Sequence, residues 1–167
     1  MKGRFVSIKA KFLLTYISLI AVVIVILNTY PVIISRDLVF ISKENTIGSQ
    51  TVQISTSLEA LDRISPDTVS RVMSMLELRG LSSVVILNAD LDELYRVGRN
   101  AEGYDENISY ELLELAMEGR DEFRALFSDG AFKSYAIAPI MTDDMLNGYV
   151  CVYEYDEAEG SIIIGLQ

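Results

Sequence analysis

Between Lys11 and Arg36 the chain runs for 24 residues, Phe12 to Ser35, without a single charge, and every charged residue before that run (Lys2, Arg4, Lys9 and Lys11) is basic. As a helix this run rises about 36 Å against a hydrocarbon layer of about 30 Å, so it crosses a bilayer with modest tilt. The short basic flank has no acidic counterweight, which by the positive-inside tendency holds residues 1–11 in the cytoplasm. The rest of the chain, from Arg36 on, is then presented outside. A cleaved secretory signal is the rival reading, but it requires a shorter apolar stretch and a small-x-small cleavage site, and neither is present. Asn28, Thr29, Tyr30 and Pro31 add the polarity, amphipathic ring and helix irregularity tolerated near the outer interface.

Charge then separates two unlike parts. Without the four N-terminal cations, ten basic residues face 24 acidic ones, a net charge of −14. Such a field repels nucleic acid and anionic headgroups, which excludes nucleic-acid binding. Residues 36–160 form a stretch of 125 residues, enough for one domain with its own core and no cross-links. The lone cysteine, Cys151, has no partner in the chain and lies in a strand-like run, as core packing or a half-exposed thiol. No histidine occurs anywhere. That removes Ser-His-Asp and Cys-His catalysis, the usual zinc sites and phosphotransfer to an imidazole. No GxxxxGK[ST] or GxGxxG run is present to cradle a nucleotide.

From Arg36 to about Asp62 the apolar residues Phe40, Ile47, Ile54, Leu58 and Leu61 recur at helical spacing, which predicts an amphipathic helix continuing outward from the span. Glu44 and Thr51 interrupt the seam, so one face packed on its own domain is preferred over a coiled coil with a second copy. Ser65-Pro66-Asp67 is a helix start, with a hydroxyl cap, a first-turn proline and an acid at the positive dipole end, and Gly80 is read as its stop. A second short helix is expected from about Ser109 to Glu118, with Leu112, Leu115 and Ala116 inward and Gly119 closing it. Strands are expected at 83–88, 94–97, 122–127, 131–140 and 149–155. Asp129-Gly130 forms a tight hairpin, and Thr142 to Gly148 a longer connection. In the last strand Val150 and Val152 alternate with Tyr149, Cys151, Tyr153 and Tyr155, giving an aliphatic and a tyrosine-rich face. The expected fold is α+β, a five-stranded antiparallel sheet with helices on one side. Ser161 to Gln167 reads as the start of an incomplete second membrane helix.

The opening Ser7 to Tyr16, the outward helix, the mixed α/β domain (especially Val84 to Tyr95 and Phe132 to Tyr155) and the final apolar restart together resemble the N-terminal half of a bacterial two-component sensor histidine kinase. The exported part is similar to the PAS-like or single Cache sensor domains of that family. The resemblance implies a bacterial cell-membrane protein, acting as a homodimer, whose external domain senses and transmits while the catalytic machinery lies elsewhere. It carries over no catalytic residue.

For a ligand pocket the expected residues are Tyr104, Arg124, Tyr135 and Tyr153, since tyrosine offers an apolar body with a polar tip and arginine a fork for a carboxylate. Half-buried packing and a solvated arginine are the plainer alternative. Asp156, Glu157 and Glu159, just before the presumed second span, are candidate oxygen ligands for Mg²⁺ or Ca²⁺ that would bridge them to membrane lipid, against the plainer reading of a solvated acidic end. Asn88 to Asp92 briefly resembles a calcium loop. It fails where Glu93 and Arg99 replace the required glycine and glutamate, and a polar turn explains it better. A membrane-tethered extracellular binding module without a kinase is the alternative function, and a carboxylate glycosidase a distant third.

Overall fold

The computed structural model describes residues 8–61, 63–76, 81–98 and 104–165. Helix α1 (Ile8–Lys43) contains the whole uncharged run and is long and apolar enough to cross a membrane. The apolar side chains from Phe12 to Tyr30 are bare of protein contact along their length, as a lipid-facing helix requires. A single π-helical turn, Glu44–Gly48, joins α1 to α2 (Ser49–Glu59). Ile47, Ile54 and Leu58 are buried in the domain's own core, as the preferred reading of the outward helix expects. Thr51, read from sequence as a break in that seam, is buried as well. Its hydroxyl donates to the Ile47 carbonyl at 2.8 Å, so the helix itself satisfies it. The helix ends at Glu59, and Asp62 lies outside the described residues.

Helix α3 (Pro66–Met75) begins as expected, with Ser65 and Thr68 in a reciprocal capping box. It stops at Met75, and Gly80 lies outside the described residues. Helix α4 (Glu106–Ala116) starts three residues earlier than Ser109, because the Asp105 carboxylate caps it by accepting from the Asn107 N–H at 2.9 Å. Leu113 joins Leu112 and Ala116 inward, while Leu115 is only half-buried. Gly119, at φ +82°, closes the helix as expected.

The strands are β1 (Ser83–Asn88), β2 (Glu93–Gly98), β3 (Glu122–Ser128), β4 (Ala131–Thr142) and β5 (Met145–Asp156), all antiparallel in the order β2-β1-β5-β4-β3. The expected longer connection from Thr142 to Gly148 is instead a two-residue hairpin. Asp143 and Asp144, at φ +50° and +61°, take the left-handed pair that matches strand twist, a conformation aspartate tolerates. Pro139 sits within β4, where a proline normally breaks a ladder. Here β3 has already ended opposite Ile137, and the Pro139 carbonyl accepts the Ser55 hydroxyl from α2.

The helices do not all lie on one side. Those leading in, α2 and α3, cover the face carrying Val84, Ile86, Ala136, Ile140, Val150 and Val152, whereas α4 packs on the opposite face against Tyr135, Ile137, Tyr149 and Tyr153. Central strands β4 and β5 are apolar on both faces, so a one-sided cover would leave large tyrosines in water. Helix α5 (Glu157–Gly165) leaves β5 directly. A Cβ at Gly160 would collide with the Gly130 carbonyl, so glycine is what lets α5 lie on the β3–β4 hairpin.

Candidate functional site: a cleft beneath α4

Cross-strand register builds the site. Tyr153 of β5 pairs with Ser83 of β1 and with Tyr135 of β4, and Tyr135 pairs with Arg124 of β3. One step along, Val85 of β1 stands between Arg96 of β2 and Cys151 of β5. Period-two alternation puts all of these on the face that α4 covers. Rings of Tyr135 and Tyr153 lie 4.9 Å apart, and Tyr104, at the entry to α4, lies 5.3 Å from Tyr153, edge to face. The Tyr135 hydroxyl accepts the Asp105 N–H at 2.8 Å, so the tyrosine cluster also pins the α4 cap.

Beyond the cluster α4 stands off the sheet. The gap is a cleft of about 410 Å³ lined by Val85, Leu87, Arg96, Tyr104, Ser109 and Cys151 among others, narrowing inward to Tyr135 and Tyr153. Its volume and its mixture of apolar wall with a few polar groups suit a small molecule. The Arg96 guanidinium donates hydrogen bonds to the Glu93 carboxylate, at 2.9 Å from Nε, which hold its pKa above the ordinary arginine range. Burial pushes the Cys151 thiol up to about 12, so it is a neutral wall rather than a nucleophile. Burial likewise raises the Tyr135 and Tyr153 phenols, which stay protonated and able to donate.

Three of the four residues expected at a pocket are therefore brought together: Tyr104, Tyr135 and Tyr153. Arg124 is not with them. It shares their cross-strand row but stands on the edge strand, where its guanidinium grips Glu111 of α4, with Nη2 to Oε1 at 3.2 Å. Arg96, Ser109 and Cys151 went unread as site residues. The alternation that marks the tyrosine face would have placed Cys151 there, but the Val85–Arg96 pairing needs the register of the first hairpin.

The acids at the end of β5 gather around a cation from α1. Lys43 Nζ lies 2.7 Å from Asp156, 2.9 Å from Glu154 and 3.2 Å from Glu159, while Glu157 is exposed. Asp156 also accepts the Glu159 N–H at 3.0 Å, capping α5 with one oxygen and holding Lys43 with the other. Burial opposes charge on both Lys43 and Asp156. Burial is the largest single influence on each, but the hydrogen bonds and charges of all the partners together outweigh it, those of Asp156, Glu154 and Glu159 raising the lysine and those of Lys43 and the α5 backbone lowering Asp156, whereas burial prevails at Glu154 and raises it. Among the described residues no group of three or more Cys, Asp and Glu side chains has metal-binding geometry.

A scan against protein-family profiles finds no match for this chain, and a comparison with curated proteins finds none either. Among solved structures it is similar to the ligand-binding domain of the amino-acid chemoreceptor PctC from Pseudomonas aeruginosa PAO1, in complex with GABA, at 16% identity and a TM-score of 0.55. The match covers 73% of this chain and 56% of that domain, so the chain spans little more than half of its neighbour's length. What the likeness establishes is the fold: the α+β arrangement expected from sequence, a long N-terminal helix leading into a Cache-like five-stranded antiparallel sheet with short helices.

Proposed function

We propose that this chain is the membrane-anchored, extracellular sensing portion of a receptor, and that the cleft beneath α4 takes a small amphipathic molecule with a polar head. The observation that carries the reading is the cleft itself: about 410 Å³ between α4 and the tyrosine face, next to the α4 cap that Tyr135 holds. A bound molecule would reach Tyr104 and Ser109 on the α4 side and Arg96 on the sheet side, so occupancy favours α4 closed on the sheet. Two features support transmission. Helix α1 runs from the apolar segment into the core, and Lys43 joins it to the strand end from which α5 departs. Shifts of about 1–2 Å between such helices are sufficient for signalling. The sequence resemblance points to a two-component histidine kinase as the output.

The test is titration of the full chain in detergent with a panel of amino acids and short carboxylates, read by melting temperature and by hydrogen exchange along α4. The expected result is a saturable stabilisation with slowed exchange at residues 105–116, both lost in Ser109→Phe. Stabilisation that survives Ser109→Phe unchanged would place binding elsewhere.

A further inference from the structure

A second recess lies at the other end of the sheet, beside the outer end of α1. Ile33, Arg36, Asp37 and Phe40 of α1 and Phe127 and Phe132 of the β3–β4 hairpin enclose a groove of about 270 Å³. Its wall is aromatic: Phe127 and Phe132 are 5.1 Å apart, and Phe40 meets Phe123 edge-on at 5.9 Å. The Arg36 guanidinium stands 5.4 Å over the Phe127 ring, which orients it by cation–π attraction and leaves its edge donors available. Neither Arg36 nor Asp37 has an ion-pair partner among the described residues. Adjacent in sequence, they put one unpaired cation and one unpaired anion at the mouth of one apolar groove.

Depth fixes what such a groove meets. The uncharged run ends at Ser35, and its roughly 36 Å of helix slightly exceeds the hydrocarbon layer, so Arg36 and Asp37 lie among headgroups and Ile33 at the upper acyl chains. We propose that this groove binds an outer-leaflet aminophospholipid of the ethanolamine type, with its phosphate on Arg36, its ammonium on Asp37 and its glycerol end against Ile33 and Phe127. The proposal rests on the membrane-anchored reading above. Charge selects the lipid. An exported part of net −14 repels a purely anionic headgroup. A zwitterion satisfies both side chains, and a primary ammonium donates hydrogen bonds to Asp37 that a quaternary one lacks.

The experiment reconstitutes the full chain in nanodiscs of equal parts phosphatidylethanolamine, phosphatidylglycerol and phosphatidylcholine, then measures retained lipid by native mass spectrometry. Wild type should be enriched in phosphatidylethanolamine. Arg36→Gln should lower retention of that lipid roughly tenfold, the loss expected for a hydrogen bond to a charged group. Asp37→Asn should keep binding but abolish the preference for ethanolamine over glycerol headgroups. Both side chains are exposed, so both variants should melt like wild type. Unchanged retention in Arg36→Gln, or unchanged preference in Asp37→Asn, overturns the proposal. So does an Ile33→Cys variant that forms disulfide-linked dimers equally well whatever the lipid, since a second copy would then fill the groove. Labelling of Asp37→Cys by an impermeant maleimide in cells separates the two levels. No labelling from outside fells the anchored reading and the lipid site with it, whereas outside labelling with no Arg36→Gln effect fells the lipid site alone.

Discussion

The two faces of the sheet are built from the same strands by alternate residues, yet they are finished differently. On the aliphatic face, Val84, Ile86, Val150 and Val152 pack with Ile47, Ile54 and Leu58 at the centre, the helix that covers them is continuous with α1, and the recess on that side, about 480 Å³, lies at the β3 margin beside Thr51, Val52 and Phe123. On the tyrosine face, one short helix covers bulky rings with polar tips and leaves a cleft of about 410 Å³. Branched aliphatic side chains pack to high density against α2, whereas tyrosines prop a helix away from the sheet and offer hydroxyls in the gap. A packed centre ties α2 to the sheet; a cleft under α4 can be changed by what enters it.

The largest effect should come from opening the sealed face. Leu58 is fully buried between α2 and the sheet, and Leu58→Ala removes its apolar surface and leaves a void. The expected loss is about 3–4 kcal/mol, read by urea unfolding of the full chain in detergent. Ser109→Phe, which fills the open face, should change stability by less than about 1 kcal/mol, since the cleft already holds the space. Equal costs for the two variants would break the comparison.

The ionic node at the rim of the sealed face comes next. Lys43→Met strips the cation from Glu154 and Asp156 and should cost about 3 kcal/mol at neutral pH, the scale for breaking a largely buried pair. The pH dependence carries a sign. Glu154 already titrates above its usual 4.5 because of burial, and without Lys43 nothing offsets that, so the variant should be most stable below pH 4.5 and lose stability as pH rises toward neutrality. Asp156 behaves oppositely in the wild type. Its lowered pKa stabilises the fold above 3.8, and that contribution disappears as pH falls through the still lower folded value. The stability deficit of Asp156→Asn should accordingly be present at pH 7 and shrink below pH 3.8, measured by melting temperature against pH.

Tyr135→Phe tests the tyrosine face from inside. Deleting the hydroxyl leaves the Asp105 N–H without its acceptor and loosens the α4 cap, at a cost of about 1–2 kcal/mol. Hydrogen exchange should accelerate along α4 and stay unchanged along α2. Acceleration in both would mean that the two faces do not act separately.

How much of this was legible in the sequence follows from which interactions are local. Charge absence marked α1, and Ser65-Pro66 marked α3, because caps and spans are written within a few residues. The strands and both faces of β5 were readable from alternation. The side on which α4 packs was not, since it depends on whether the opposite face is already filled by the helix from α1. Asp143-Asp144 reads as part of a longer connection because two left-handed aspartates are a weaker turn signal than Asp129-Gly130. At the candidate site, residue chemistry singles out Tyr104, Tyr135 and Tyr153, and the fold sets these three rings side by side. Arg96 was missed because only the β1–β2 register sets it beside the cleft. Lys43 sits at the junction of α1 and the π-helical turn, and nothing local marks it as the partner of acids more than a hundred residues on.

The smallest expected effect is also the sharpest test of that register argument. Arg124 and Tyr135 are direct cross-strand partners, so a site drawn from proximity along the row would include both. Two inter-strand steps of about 4.8 Å, across β4, nevertheless separate Arg124 from Tyr153, and its guanidinium is turned to Glu111 on the outer surface of α4. An exposed pair of this kind contributes little in water, because solvent screens it and two long side chains lose freedom to form it. Arg124→Gln should therefore leave the melting temperature within the scatter of the measurement and leave ligand titrations unchanged, whereas Arg96→Gln should weaken any carboxylate-bearing ligand of the cleft. If Arg124→Gln weakened binding as strongly, the cleft would extend under the whole length of α4, and the tyrosine cluster would be its centre rather than its inner wall.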